Sequence, residues 1–164
     1  MSRLLTHLLH TPMATRRAFP PSVQEAIRKT VAEGEQTHRG EIRFVVEGDW
    51  PLADVLSGKA VRDRALELFG LTRAWDTADN TGILVYVLLC EHKVEILADR
   101  GLNGIADAAT WADVCAAMTA AFRGGRYEEG SLQAIRTLND LLLRHFPSDG
   151  HNPNELPDLP IVLR

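Results

Sequence analysis

The order of apolar and polar residues divides this chain into elements before any composition is counted. Ile83 to Leu89 is an unbroken apolar run of strand-forming residues, too short for a helix, which predicts a strand buried on both faces. Lys93 to Ala98 then alternates with period two, placing Val94, Ile96 and Ala98 on one face. The short Cys90-Glu91-His92 link predicts an antiparallel hairpin. Upstream, Glu41 to Glu47 reads as another strand with Ile42, Phe44 and Val46 inward, and Gly48-Asp49-Trp50-Pro51 breaks it.

Helical spacing fills the intervals. After Pro20-Pro21, Ser22 and Glu25 have the spacing of a capping box, and Val23, Ile27 and Val31 form an apolar stripe that Gly40 is placed to end. A second helix is expected around Lys59 to Phe69. A third is capped by Asp107 and carries Trp111, Val114, Cys115, Met118, Ala121 and Phe122, with Gly124-Gly125 as its stop. A fourth runs from about Glu128 to His145 with Leu132, Ile135, Leu138 and Leu142 inward. Both of these stripes read as core-packing faces.

Strand, helix, strand over 41–89 makes a βαβ unit with parallel strands. The expected fold is therefore α/β: an αβα sandwich on a small mixed sheet with a central βαβ unit, an antiparallel hairpin, and helices on both faces. Residues 19–147 form the domain. Residues 1–18 form an N-terminal segment whose Leu4-Leu5/Leu8-Leu9 patch is expected to dock on the domain as a helix turn, the alternative being contact with a membrane surface or a partner. Residues 148–164, rich in Pro, Asn and Asp, read as an irregular tail.

This topology has a chemical consequence. Residues entering the first hairpin strand lie beside those leaving the second, so Asp76, Asp79 and Asn80 approach Asp99, Arg100 and Gly101. Parallel pairing brings Glu41 to the same end of the sheet. Such a corner offers the oxygen ligands that Ca²⁺ or Mg²⁺ prefer, from Asp76, Asp79, Asn80, Asp99 and Glu41. Asp99 and Arg100 are then the candidate catalytic pair, Arg100 binding non-bridging phosphate oxygens beside the ion. The competing reading makes Asp76 and Asp79 turn residues and Arg100 the salt-bridge partner of Asp99. The corner also lies at the amino ends of two strands, whereas open α/β sheets bind ligands at carboxyl ends.

Charge and cysteine content narrow the classes further. A net charge of -4 argues against a duplex nucleic-acid binder, and Cys90 and Cys115 have no metal-ligand spacing. Two reduced thiols are expected, Cys115 inert in its stripe and Cys90 the more accessible, with only His92 near enough to activate it. His38, His92, His145 and His151 are too scattered for a zinc set and read as surface or capping residues. No apolar run approaches the roughly 20 residues of a spanning helix, and the first residues lack the core of a secretory signal.

Asn80-Thr81-Gly82-Ile83-Leu84-Val85-Tyr86 followed by Ala98-Asp99-Arg100-Gly101-Leu102 resembles the TPM domain family. Its members include a thylakoid lumen protein and bacterial proteins often encoded beside a LemA-type membrane protein. Arg16-Arg17-Ala18-Phe19, Thr37 to Phe44, Trp75-Asp76-Thr77, Trp111, His145-Phe146-Pro147 and Asn154-Glu155-Leu156-Pro157 resemble its short, soluble bacterial subgroup. The resemblance implies an αβα sandwich, divalent-cation binding, acid phosphatase activity in some relatives, and a LemA-type protein as a partner. Thr81-Gly82 stands where the family usually has Asn-Gly. Many members carry an export signal and a hydrophobic anchor; this sequence shows neither, so a cytoplasmic location is expected. The alternative function is a non-catalytic module docking a protein or membrane through the N-terminal leucines or the Pro-rich tail.

Overall fold

The structure is a computed structural model that describes residues 2–150 and 153–163. Its sheet has four strands among the described residues: β1 (Glu41–Glu47), β2 (Gly82–Leu88), β3 (Lys93–Ala98) and β4 (Ile161–Leu163), in the order β3-β2-β1-β4. β1 and β2 are parallel in the register Glu41↔Gly82 to Glu47↔Leu88, as a βαβ unit requires. β2 and β3 are antiparallel, from Ile83↔Ala98 to Leu88↔Lys93. The link between them is a 3-10 turn over Leu89–Glu91 that leaves His92 left-handed at φ 48.

Alternation along the strands sorts the core into two halves. Ile42, Phe44, Val46, Ile83, Val85, Val87, Val94 and Ile96 face α3 (Pro21–Glu35), α6 (Ala108–Arg123) and α7 (Tyr127–His145). Val45, Leu84, Tyr86, Leu88 and Leu97 face the opposite layer, built on α4 (Leu52–Leu56) and α5 (Val61–Leu71). The sandwich is thus αβα. All seven residues of β1 and of β2 are buried, which explains the unbroken apolar run in the second.

Several local expectations need correction. α3 starts at Pro21 with Pro20 as its cap, so Ser22 lies inside the first turn and Glu25 pairs with Arg28 rather than closing a capping box. Proline at the first helical position supplies the fixed φ and needs no amide partner, which moves the start two residues earlier. The same helix ends at Glu35, before Gly40, whose lack of a side chain instead admits Leu142, 2.5 Å from where a Cβ would stand. Asp107 does cap α6, its carboxylate accepting from the Thr110 amide.

The tail is not wholly irregular. Ile161–Leu163 forms β4, parallel to β1 through Val45↔Ile161 to Glu47↔Leu163. Ahead of it, residues 154–160 cross the sheet as a strap: Arg43 donates to the carbonyls of Pro157 and Leu159, and Leu156 is buried. The N-terminal segment forms two short helices, α1 (Arg3–Leu9) and α2 (Pro12–Ala18). α1 docks on the domain, but Leu4, Leu5, Leu8 and Leu9 stay exposed, contrary to the expectation that the chain covers them.

Candidate functional site

The amino ends of β1 and β2 and the carboxyl end of β3 form one rim, where Glu41 pairs with Gly82 and the Asp99 amide donates to the Gly82 carbonyl at 2.9 Å. Topology therefore places Glu41, Asp79 and Asp99 on one edge, as their order in the sequence requires. It does not gather their carboxylates. Among the described residues, no three His, Cys, Asp or Glu side chains come close enough together to share a metal ion.

Each acid has found another partner. Asp76 pairs with Arg73 one turn back. Asp79 accepts from Arg39 at 2.8 Å across a partly exposed surface. The Asn80 side-chain oxygen accepts from Arg100 Nε at 3.0 Å, on a backbone with φ 55 that asparagine tolerates. Arg100 is thus held by Asn80 and not by the Asp99 carboxylate, whose Oδ1 accepts from the Arg100 amide at 2.7 Å. Glu41 is fully buried beneath the strap and accepts from the amides of Glu155 (3.2 Å) and Leu156 (3.1 Å). Burial pushes its carboxyl up to about 7 against those two hydrogen bonds. So Glu41 belongs to the anchoring of the tail and not to a shared ligand set.

Two features of the rim stand apart. Asp99 Oδ2 is buried and has no hydrogen-bond partner. A buried carboxylate oxygen without a donor costs free energy, so native structures rarely leave one. Next to it, Gly101 donates to the Asn80 carbonyl, and a Cβ on Gly101 would come within 2.5 Å of the carbonyl oxygens of both Asp79 and Asn80. Only glycine permits that approach. Gly82 is equally constrained, since its Cβ would lie 1.8 Å from the Ala74 carbonyl.

The opposite rim holds polar groups that the sequence reading passed over. Glu47, at the carboxyl end of β1, accepts from Arg64 through both oxygens (2.7 and 3.0 Å), from Tyr86 Oη (2.6 Å) and from Trp50 Nε1 (3.0 Å). Hydrogen bonding to Glu47 holds the Arg64 guanidinium above its ordinary range, and burial with the Glu47 charge does the same for the Tyr86 phenol. Beyond Trp50, its amide donates to His7 Nδ1 at 3.0 Å, and His7 Nε2 lies 2.7 Å from Glu91. Burial alone would raise the Glu91 carboxyl; hydrogen bonds from Lys93, Arg3 and His7 outweigh it and hold it at about 2. The available signal was a lone tyrosine in an otherwise aliphatic strand, in register with the residue two before Glu47.

The remaining candidates carry no chemistry. Burial raises Cys90 to about 12 and Cys115 to about 11, so neither is a nucleophile at neutral pH. The histidine beside Cys90 is His7, 3.4 Å from its sulfur, and not His92. His38 is fully buried rather than a surface residue, with its ring nitrogen 3.1 Å from Asn139 Oδ1, whereas His145 is exposed. His151 lies outside the described residues.

A family model described as the TPM domain matches residues 15–141. Among solved structures, the chain is similar to the BA42 protein of the psychrophilic bacterium Bizionia argentinensis, determined by NMR. The TM-score is 0.75 at 24% identity, over 86% of this chain and 92% of that one, a likeness that speaks for the fold alone. No curated protein matches. No helix among the described residues is long and apolar enough to cross a membrane.

Proposed function

Because the chain belongs to the TPM domain family, we propose that the amino-end rim binds a divalent cation at Asp99. The observation that carries this reading is the buried, unpartnered Asp99 Oδ2. A hard cation satisfies such an oxygen without needing a proton donor. The carbonyl oxygens of Asp79 and Asn80, brought together over Gly101, are donors of the same kind. One carboxylate, carbonyls and water suit Ca²⁺, which accepts flexible oxygen sets, better than Mg²⁺, which demands a near-ideal octahedron. Asp79 and Asn80 thus enter through their backbones, and Asp76 and Glu41 stay outside.

Calorimetric titration of the whole chain tests this. Calcium binds the wild type, Asp99→Asn abolishes binding with the fold intact by circular dichroism, and Asp76→Asn leaves it unchanged. Equal binding by wild type and Asp99→Asn would remove the site from this rim.

Phosphomonoester hydrolysis is the finer part of the reading. A bound divalent ion supplies Lewis-acid polarisation of a phosphoryl oxygen. Arg100 is exposed and steadied by Asn80 Oδ1, so its guanidinium can meet the non-bridging oxygens beside Asp99. Nitrophenyl phosphate turnover that needs a divalent ion and falls in Arg100→Gln supports this. Calcium binding without turnover leaves a cation-binding domain without catalysis.

A further inference from the structure

α1 is inside out. A surface helix normally turns its apolar stripe to the core and its polar face to water. Here the buried residue is His7, Arg3 and His10 are half-buried, and the outward face carries Leu4, Leu5, Leu8 and Leu9, the last two 60% and 65% exposed. Specific bonds impose this orientation. Arg3 donates to Glu91 at 2.6 Å and lies 5.0 Å over the Trp50 ring, while His7 holds both Glu91 and the Trp50 amide. His10, bonded to Thr15 at 2.8 Å, ties α1 to α2. Rolling the leucines inward would break all of these contacts.

Other apolar side chains extend the same edge. Met13 on α2, and Leu52 and Leu56 on α4, which packs beside α1, are exposed too. Single exposed leucines need no explanation, but several neighbouring ones presented by a polar-docked helix mark a contact surface. Charge indicates what the surface meets. Residues 1–24 contain Arg3, Arg16 and Arg17 and no acidic residue; Arg3 is paired with Glu91, and the acid carried by α4 is the half-buried Asp54 between Leu52 and Leu56. Arg16 and Arg17 stand exposed in the last turn of α2, Arg17 also bordering a cavity shared with Arg126, Glu128 and Glu129 at the start of α7.

We infer that the α1–α2 face rests on an anionic lipid surface, the leucines entering the headgroup boundary and Arg16 and Arg17 engaging phosphates. Apolar insertion and basic attraction are the two signals that peripheral binding combines. This inference is independent of the cation reading.

The experiment is co-sedimentation of the full chain with phosphatidylcholine vesicles, with and without phosphatidylglycerol. Binding is expected to the anionic vesicles, at least about tenfold weaker to the neutral ones, and weakened by salt. Leu8→Asp/Leu9→Asp reduces it by about tenfold or more. These positions are exposed, so thermal stability is retained. Arg16→Gln/Arg17→Gln gives an independent second variant that weakens anionic binding only. No binding to either vesicle, or undiminished binding by both variants, overturns the proposal. A dimer in sedimentation equilibrium that Leu8→Asp/Leu9→Asp dissolves, with no vesicle binding, also overturns it and assigns the face to a second copy.

Discussion

Glu41 and Glu47 begin and end the same strand, and both are buried, yet the molecule treats them in opposite ways. Glu47 meets a guanidinium, a phenol and an indole N–H. Glu41 meets two backbone amides of the strap and, among the described residues, no cation, and close by Glu35 is pushed up to about 9 by burial and by the charge of Glu41. Glu35 Oε1 also accepts from the Ile42 amide at 3.0 Å. A buried carboxyl can therefore be matched by charge-assisted partners or carried towards neutrality by desolvation. The carboxyl-end rim is an anchor built on the Arg64–Glu47 pair. The strap rests on acids whose ionisation responds to pH.

The largest test of this contrast is Glu47→Ala. It leaves Arg64, Tyr86 Oη and Trp50 Nε1 without their common acceptor, and breaking one side of a buried ion pair costs 3–5 kcal/mol in general. Arg64 retains some contact with water, so the expected loss is about 3 kcal/mol in urea unfolding. A loss below about 1 kcal/mol would mean that the cluster is held by packing and not by charge.

The next effect is a dependence on pH. Both Glu35 and Glu41 have folded pKa values above the unfolded carboxylate range, so between those values the folded state binds more protons. Their contribution is full below about pH 4.5 and is lost as pH rises through about 7 for Glu41 and about 9 for Glu35. Stability should fall between pH 5 and pH 9, on the order of a few kcal/mol. Glu41→Gln costs about 1 kcal/mol at pH 5, because its amide nitrogen faces a backbone N–H, and then flattens the lower part of the fall. Glu35→Gln flattens the upper part. An unchanged slope in both variants would place the titration elsewhere.

The same contrast separates what the sequence made legible from what it did not. β1, β2, β3, α3, α5, α6 and α7 follow from periodicity, because each buries a face whose spacing is written locally. The shared rim of Glu41, Asp79 and Asp99 follows from strand order alone. The partners of those acids do not, since Arg39 and the amides of Glu155 and Leu156 arrive from other parts of the chain. β4 is three residues long after a proline-rich stretch and pairs with a strand more than a hundred residues earlier, so no local pattern announces it. α1 shows the converse failure. Its periodicity is clear, but the rule that leucines turn inward is overridden by Trp50 and Glu91, whose bonds to Arg3 and His7 fix the helix the other way round.

The smallest expected effect sharpens the amino-end rim further. Arg39→Gln removes an ion pair with Asp79 that is more than a third exposed on both sides, and such pairs contribute ~0–1 kcal/mol. Little change in stability is expected. The electrostatic change is more informative. It deletes one positive charge near the proposed cation and frees the Asp79 carboxylate. Unit charges a few ångström apart at a wet surface interact by about 1 kcal/mol, so calcium affinity should rise roughly fivefold by calorimetry. An unchanged affinity would leave Asp79 acting only through its carbonyl, with Asp99 the one carboxylate that meets the ion. A weaker affinity would mean that Arg39 holds the 76–80 turn in its binding shape, and the variant's circular dichroism and unfolding curve would show that turn loosening.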